Sequence, residues 1–244
     1  MNQFIKLFSI CVVVSVAIAA HLPSFITPCS RSLPTDKLSE CITTQSRQVQ
    51  ATFAKGVPEF NIEPLDPLTL SDLSTKTGTF SLKSTNVVVK GLRKIDIREM
   101  KWDLQKNVGQ TRIFGNLTFL CDYETDGRIL LVPITGKGKL TVKMYNTDML
   151  IKFKIKTFKD ADGVEHLETY DFRPTQQYGN VKIHMSNILG GNALGDTINQ
   201  VLNENWRDLM AEVGPPFIKA VANKVHDIVN KLYSGVPYDE LMLP

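Results

Sequence analysis

Between Thr77 and Ile188 the chain changes polarity every second residue, and that period limits the fold more than any other property of the sequence. The clearest stretch sets Ile151, Phe153 and Ile155 against Lys152, Lys154 and Lys156. Leu140, Val142 and Met144 alternate with Lys139, Thr141 and Lys143, and Val181, Ile183 and Met185 with Lys182, His184 and Ser186. Neighbouring side chains of a strand point to opposite faces, so each stretch has one wet and one dry side. The pattern predicts an antiparallel sheet covered on one face, with Asp126-Gly127 and Asp162-Gly163 as hairpin turns. The lysines then form a solvated face that also discourages edge pairing.

The stretch from Thr111 to Tyr123 tests this register. Ile113, Gly115, Leu117, Phe119 and Cys121 share the dry face, and Arg112, Asn116, Thr118 and Asp122 the wet one. Asn116-Leu117-Thr118 is a glycosylation sequon, and Asn116 falls where a glycan has room. Phe114 and Leu120 break the pattern on the wet side.

Helical periods flank the sheet. Leu38, Cys41, Ile42, Val49 and Phe53 recur at three- and four-residue spacing, which predicts a helix over 35–55 with Thr35 or Asp36 as N-cap and Gly56 as stop. Pro58, Pro64 and Pro67 make the segment up to Leu70 an extended connector. Beyond the break at Gly190-Gly191, an apolar stripe runs from Leu194 to Leu232 and predicts a helix of roughly 60 Å at 1.5 Å per residue. Pro215-Pro216 should kink it midway.

A one-sided sheet and a long striped helix bury their dry surfaces best when the sheet curls around the helix. The fold class expected is therefore α+β, with the core either filled or left open as an apolar passage. Periodicity does not separate these two versions. Candidates for lining such a passage are Leu117, Phe119, Val142, Met144, Ile151, Phe153 and Ile155 from the sheet. The helices add Phe53, Leu202, Trp206, Leu209, Phe217 and Val221.

The N-terminus bears on compartment. Lys6 precedes an apolar run from Leu7 to Ala20 that ends in Ala17-Ile18-Ala19. The run is shorter than the roughly 20 residues that cross a bilayer, and reads as a signal peptide over 1–19, leaving one domain over 20–244 of a secreted protein. Cys11 leaves with that segment. In an oxidising compartment Cys29 and Cys41 are the obvious disulfide pair, with Cys121 as the competing partner. A net charge of +3 with interspersed signs gives no footprint for nucleic acid or for stable membrane association.

Catalytic patterns are absent from the sequence: there is no Gly-x-Ser-x-Gly elbow and no His-Glu-x-x-His. His21, His166, His184 and His226 are scattered and read as surface residues, so neither a metal nor a cofactor is expected. Gly190 to Gly195 mimics part of a phosphate loop without its lysine. Asn205 is either a polar group in the core or an exposed helix residue.

Several motifs in order resemble the insect takeout and juvenile-hormone-binding family. They are Cys29 with Cys41, Gly56-Val57-Pro58-Glu59-Phe60 running into Pro64-Leu65-Asp66-Pro67-Leu68, Asn203-Glu204-Asn205-Trp206, and Val236-Pro237-Tyr238-Asp239-Glu240-Leu241. The resemblance implies a long helix wrapped by a strongly curved antiparallel sheet around an elongated apolar tunnel. It also implies a monomeric extracellular carrier, not an enzyme, whose partner is one small lipophilic ligand. Cys121 has no partner for the second disulfide of the juvenile-hormone binders, which leans the resemblance toward takeout. The alternatives are a membrane-docking lipid-transfer protein and a secreted interaction protein with a filled core.

Overall fold

The computed structural model describes residues 21–129 and 132–244. The expected signal segment over 1–19, with Cys11, lies outside the described residues. A two-residue strand β1 (Cys29–Ser30) leads into helix α1 (Thr35–Phe53). Strands β2 (Leu68–Leu70), β3 (Leu73–Thr77), β4 (Phe80–Lys90), β5 (Asp96–Asp103) and β6 (Val108–Asp126) follow. After the short β7 (Arg128–Ile129) and β8 (Val132–Pro133) come β9 (Gly136–Lys159), β10 (Glu165–Gln177) and β11 (Asn180–Met185). Helices α2 (Ala193–Glu204), α3 (Trp206–Gly235) and α4 (Tyr238–Leu241) and the terminal strand β12 (Met242–Leu243) complete the chain.

The eight-stranded sheet is antiparallel throughout and is built on the long pair β6–β9, as the two-residue period requires. β10 and β11 share the far side of β9, while β4 and β5 share the far side of β6, with β2 and β3 beyond β4. The sheet starts at Leu68, earlier than Thr77, because Leu68 and Leu70 alternate with Thr69 against β4. The connector before it holds one 3-10 turn, Pro58–Phe60, where proline at the first position costs no hydrogen bond.

Long strands must bend to wrap a helix, and three of them do so at an Asn or Asp with positive φ. Asn86 in β4 (φ 53), Asn146 in β9 (φ 49) and Asp171 in β10 (φ 57) each mark a shift of register with a neighbouring strand. Such bulges insert one residue, sharpen the twist and switch which parity faces the core. Leu140 and Met144 before Asn146, and Thr147, Met149, Phe153 and Ile155 after it, are accordingly all buried. The two wet-face exceptions are sheltered: Phe114 lies under the Arg98 guanidinium at 4.4 Å, and Leu120 sits between Val88 and Thr141 on the adjoining strands.

Sequence and structure part at several local points. Asp126-Gly127 does not close a hairpin; the chain leaves β6 there, and β6 pairs with β9 after an intervening excursion. Asp162-Gly163 does lie in the β9–β10 hairpin, where Asp160 accepts the backbone N–H groups of Asp162 and Val164. Pro34, not Thr35 or Asp36, is the N-cap of α1, and no side chain caps it. The long helix is interrupted at Asn205, and α3 runs on through Pro215-Pro216. Asn205 turns its side-chain amide onto the Val201 carbonyl, whereas both prolines lie exposed, with Ala211 and Glu212 one turn before them also exposed. Water can then serve the carbonyls left without donors. His166 is buried, contrary to a surface reading, because its ring bridges Asp160 and the Val236 carbonyl at 3.1 and 3.0 Å.

The lysines do not guard an edge, since β9 is central; Lys154 and Lys156 instead pair with Asp171 and Glu168. Helices finish the true edges. On α1, Ser39 and Thr43 accept the backbone N–H groups of Trp102 and Met100, and Arg47 donates to the Ile97 and Arg98 carbonyls of β5. On α2, the Asn203 and Asn199 amides each exchange two hydrogen bonds with the backbone of Ile183 and Met185 in β11. Asn230 of α3 does the same to Thr169 of β10.

Candidate functional site

The dry face carries two apolar clusters. The larger spans most of the sheet and helices α2 and α3; the smaller gathers Cys29, Leu38, Trp102, Phe153, Ile155, Leu167 and Met242 around α1 and the chain end. Cys29 and Cys41 form a disulfide within that end, with Cα atoms 6.1 Å apart. Cys121 is free and buried, and burial pushes its thiol above the ordinary range.

An apolar cavity of about 90 Å³ lies in the larger cluster. Leu140, Val142 and Met144 of β9 and Phe119 of β6 form its floor, with Ile183 and Met185 of β11 and Phe80 and Leu82 of β4 at the sides. Leu202 of α2, and Leu209, Met210, Val213 and Phe217 of α3, form the roof, and Ile129 and Ile134 close one end. Phe119 meets Phe217 edge to face at 5.4 Å across it. The side chains around it are hydrocarbon or thioether, so the site offers shape and dispersion but no charge. Three of them are methionines, which change rotamer at little cost.

Of the thirteen residues singled out from the sequence, Phe119, Val142, Met144, Leu202, Leu209 and Phe217 come together around this cavity. Phe53, Leu117, Ile151, Trp206 and Val221 belong to the same cluster without bordering the void. Phe153 and Ile155 fall in the smaller cluster, where the Phe153 ring lies so close over Gly109 that no Cβ would fit there. Eleven further lining residues were missed, among them Phe80, Leu140, Ile183, Met185, Met210 and Val213. Met185 and Phe80 sit at correct dry parity, but only the helix rotation shows that they face a void. Asn116 is exposed on the outer face, with its side-chain oxygen accepting from the Asn146 N–H of the bulge. Asn205 is exposed as well.

A second, larger hollow of about 1240 Å³ opens between α1 and strands β5, β6 and β9. Its walls carry Asp36, Glu40, Arg47, Arg98, Lys101, Lys152 and Arg173, charges of both signs, most of them exposed. It is a wide depression in the surface, where these charges surround Met100, Trp102, Val108 and Phe153. Among the described residues no group of His, Cys, Asp and Glu could hold a metal ion, and no helix is long and apolar enough to cross a membrane.

Buried polar atoms without partners are rare in folded proteins. Among the described residues they are Ser84 Oγ, Trp102 Nε1, Thr147 Oγ1 and the Tyr178 hydroxyl. Burial pushes Tyr178 up to about 12; the Gln176 amide opposes that rise without reaching hydrogen-bond geometry.

The sequence matches the family model described as haemolymph juvenile hormone binding protein (JHBP) over residues 7–243. The chain is 26% identical over 213 residues to the circadian clock-controlled protein daywake of Drosophila melanogaster, covering 82% of each. Against daywake of Drosophila yakuba it is 27% identical over 224 residues, covering 84% of each. The fold superposes on the crystal structure of Epiphyas postvittana Takeout 1 with a TM-score of 0.83 and 29% identity, covering 90% of this chain and all of that one. The α+β architecture expected from the sequence, a long helix against a curved antiparallel sheet, is thus that of takeout.

Proposed function

The chain belongs to the haemolymph juvenile hormone binding protein family, and from that premise we propose that it is a secreted carrier that takes up one small lipophilic molecule between its sheet and its C-terminal helices. The observation that carries this reading is the cavity of about 90 Å³ walled by apolar side chains alone. Sites for ligands of ordinary size run from roughly 300 to 1,000 Å³. The ligand must therefore displace side chains, and Met144, Met185 and Met210 are placed to yield. Lengthening the void past Met144 leads along the dry face of β9 toward Thr147, Met149 and Ile151, which would make it an elongated passage. Burying a chain of about fifteen carbons at ~0.8 kcal/mol each contributes roughly 12 kcal/mol before association costs of several kcal/mol. What remains corresponds to about micromolar binding or tighter, with no ionic contact needed.

The test is native mass spectrometry of protein secreted from a eukaryotic host, followed by extraction, and by titration of delipidated protein with a lipophilic fluorophore. A released lipophile, or saturation at one site per chain, is the expected result. Phe217→Arg, which places a guanidinium in the roof, should weaken the fluorophore at least tenfold. Absence of both a bound molecule and a saturable site overturns the carrier reading in favour of a filled-core interaction protein.

A further inference from the structure

We infer that Asn116 carries an N-linked glycan whose first sugar packs on the Phe114 ring beside the bulge of β9. The inference takes from the proposed function only the secreted location. Asn116-Leu117-Thr118 is the one Asn-x-Ser/Thr triplet in the sequence. Leu117 and Phe119 are buried, so Phe114, Asn116 and Thr118 take successive outward positions of β6. Such positions are about 6.8 Å apart along a strand. Asn116 is exposed, and the other two are half-buried. From the β4–β5 turn Gly91 approaches, so close on the Asn116 carbonyl that no Cβ would fit there. On the other side Gly115 pairs with Thr147 and Leu117 with Met144, so Asn116 faces two residues, Tyr145 and Asn146. The Asn146 N–H donates to the Asn116 side-chain oxygen at 2.8 Å. A backbone N–H meets only an acceptor, which settles which end of the amide is oxygen. Nδ2 therefore points away from the bulge.

In the secretory compartment the sugar donor is an oligosaccharide linked to a polyprenyl diphosphate. Nδ2 forms a bond to C1 of the first N-acetylglucosamine as the C1–O bond to the diphosphate breaks. Nδ2 gives up one proton, and the diphosphate leaves with the electron pair. Transfer acts on the extended chain, so the fold has only to accept the product. It does, because the product keeps Oδ1 and with it the bond from Asn146. Phe114 is what the sugar then meets. One side of a pyranose is lined with C–H groups, which seek the electron-rich face of an aromatic ring. A ring on the wet side of a sheet has no core to fill, and Arg98 reaches it from β5. Tyr145, 36% exposed on β9, stands across from Asn116. A sugar on Nδ2 is thus flanked by Phe114 along its own strand and by Tyr145 on the next.

The experiment uses the chain secreted from mammalian cells in which mannose trimming is blocked. Peptide mapping before and after peptide N-glycosidase should show Asn116 modified in most molecules, and Thr118→Val should abolish the modification. Endoglycosidase H then leaves one N-acetylglucosamine, and melting temperatures are compared in a double-mutant cycle. The rise from Thr118→Val to the one-sugar parent should be roughly 2–4 °C larger with Phe114 present than in the Phe114→Ala background, as a single aromatic contact gives in a chain of this length. Phe114→Leu, which keeps apolar bulk without a π face, should behave as Phe114→Ala does. An unmodified Asn116 in protein recovered from the medium overturns the inference and leaves the carrier reading standing. So does a cycle without coupling in both backgrounds, which would leave the sugar in solvent. An unmodified chain retained inside the cells overturns the secreted location and this inference with it.

Discussion

At one end of the dry face Trp102 stands edge-on to Phe153 at 5.6 Å and to Tyr233 at 6.0 Å, and Phe153 lies flat on Phe172 at 5.3 Å. The disulfide and the parallel pairing of β1 with β12 tie both ends of the described chain to this cluster. At the other end Leu140, Met144, Met185 and Met210 face one another across a void. Both regions are apolar and draw on the same strands, yet the second encloses a void walled by apolar side chains, three of them methionines. Rigid rings and a covalent staple hold a fixed end, against which a loosely filled end can open. The lipophile site proposed above belongs to the half with the void.

The contrast is sharpest where a charge is forced into the fixed end. Phe153→Asp should abolish cooperative thermal unfolding, because it empties the ring stack and buries a carboxylate with no counter-ion. Its exposed neighbour Lys152, changed to Asp, should shift stability by no more than about 0.5 kcal/mol. Equal behaviour of the two would overturn the register of β9. Truncations should then rank the two ends. Leu167→Ala, at a fully buried site in the smaller cluster, should cost near the top of the roughly 2–5 kcal/mol range for such changes. Met144→Ala should fall near the bottom, since neighbouring methionines can move into the gap. Urea midpoints measure both, and a reversed order would erase the distinction between a rigid and a yielding half.

The smallest effect is a pH dependence confined to the fixed end. The His226 ring stacks on Phe172 at 3.8 Å, and its Nε2 accepts from the Asn230 side-chain amide, whose orientation is set by Thr169. That bond needs the neutral ring. Burial lowers the folded-state pKa of His226, while Asp227 and Glu168 oppose it. The associated stability is complete above the unfolded value of about 6.5 and is lost as pH falls from there through the depressed folded value. Melting temperatures between neutral and mildly acidic pH should decline in the parent and less so in His226→Gln. Identical slopes would remove His226 from the account.

Much of the fold was written in residue parity. Met144 and Ile151 are both dry though an odd number of positions apart, so a strand running through both must contain a bulge, and Asn146 supplies it. The same arithmetic applies to Leu82 and Val87 around Asn86. The cavity was less legible. Which dry-face residues surround a void depends on how α2 and α3 are rotated over the sheet, and no pattern in the sequence fixes that rotation. The strand-edge role of Asn199, Asn203 and Asn230 was not readable, because an asparagine on the polar side of a helix looks the same whether it meets water or a strand edge.

Those three amides have a consequence for the purity of the folded population. Each stands in for the peptide of a missing strand, so the outer backbone of β11, and of β10 at Thr169, is occupied only while its helix stays docked. Undocking of α2 would bare Ile183 and Met185 together, an apolar strand with its hydrogen-bonding groups turned outward, ready to recruit a second molecule. Any event that lifts this helix therefore opens a route to self-association, which the asparagine rungs oppose.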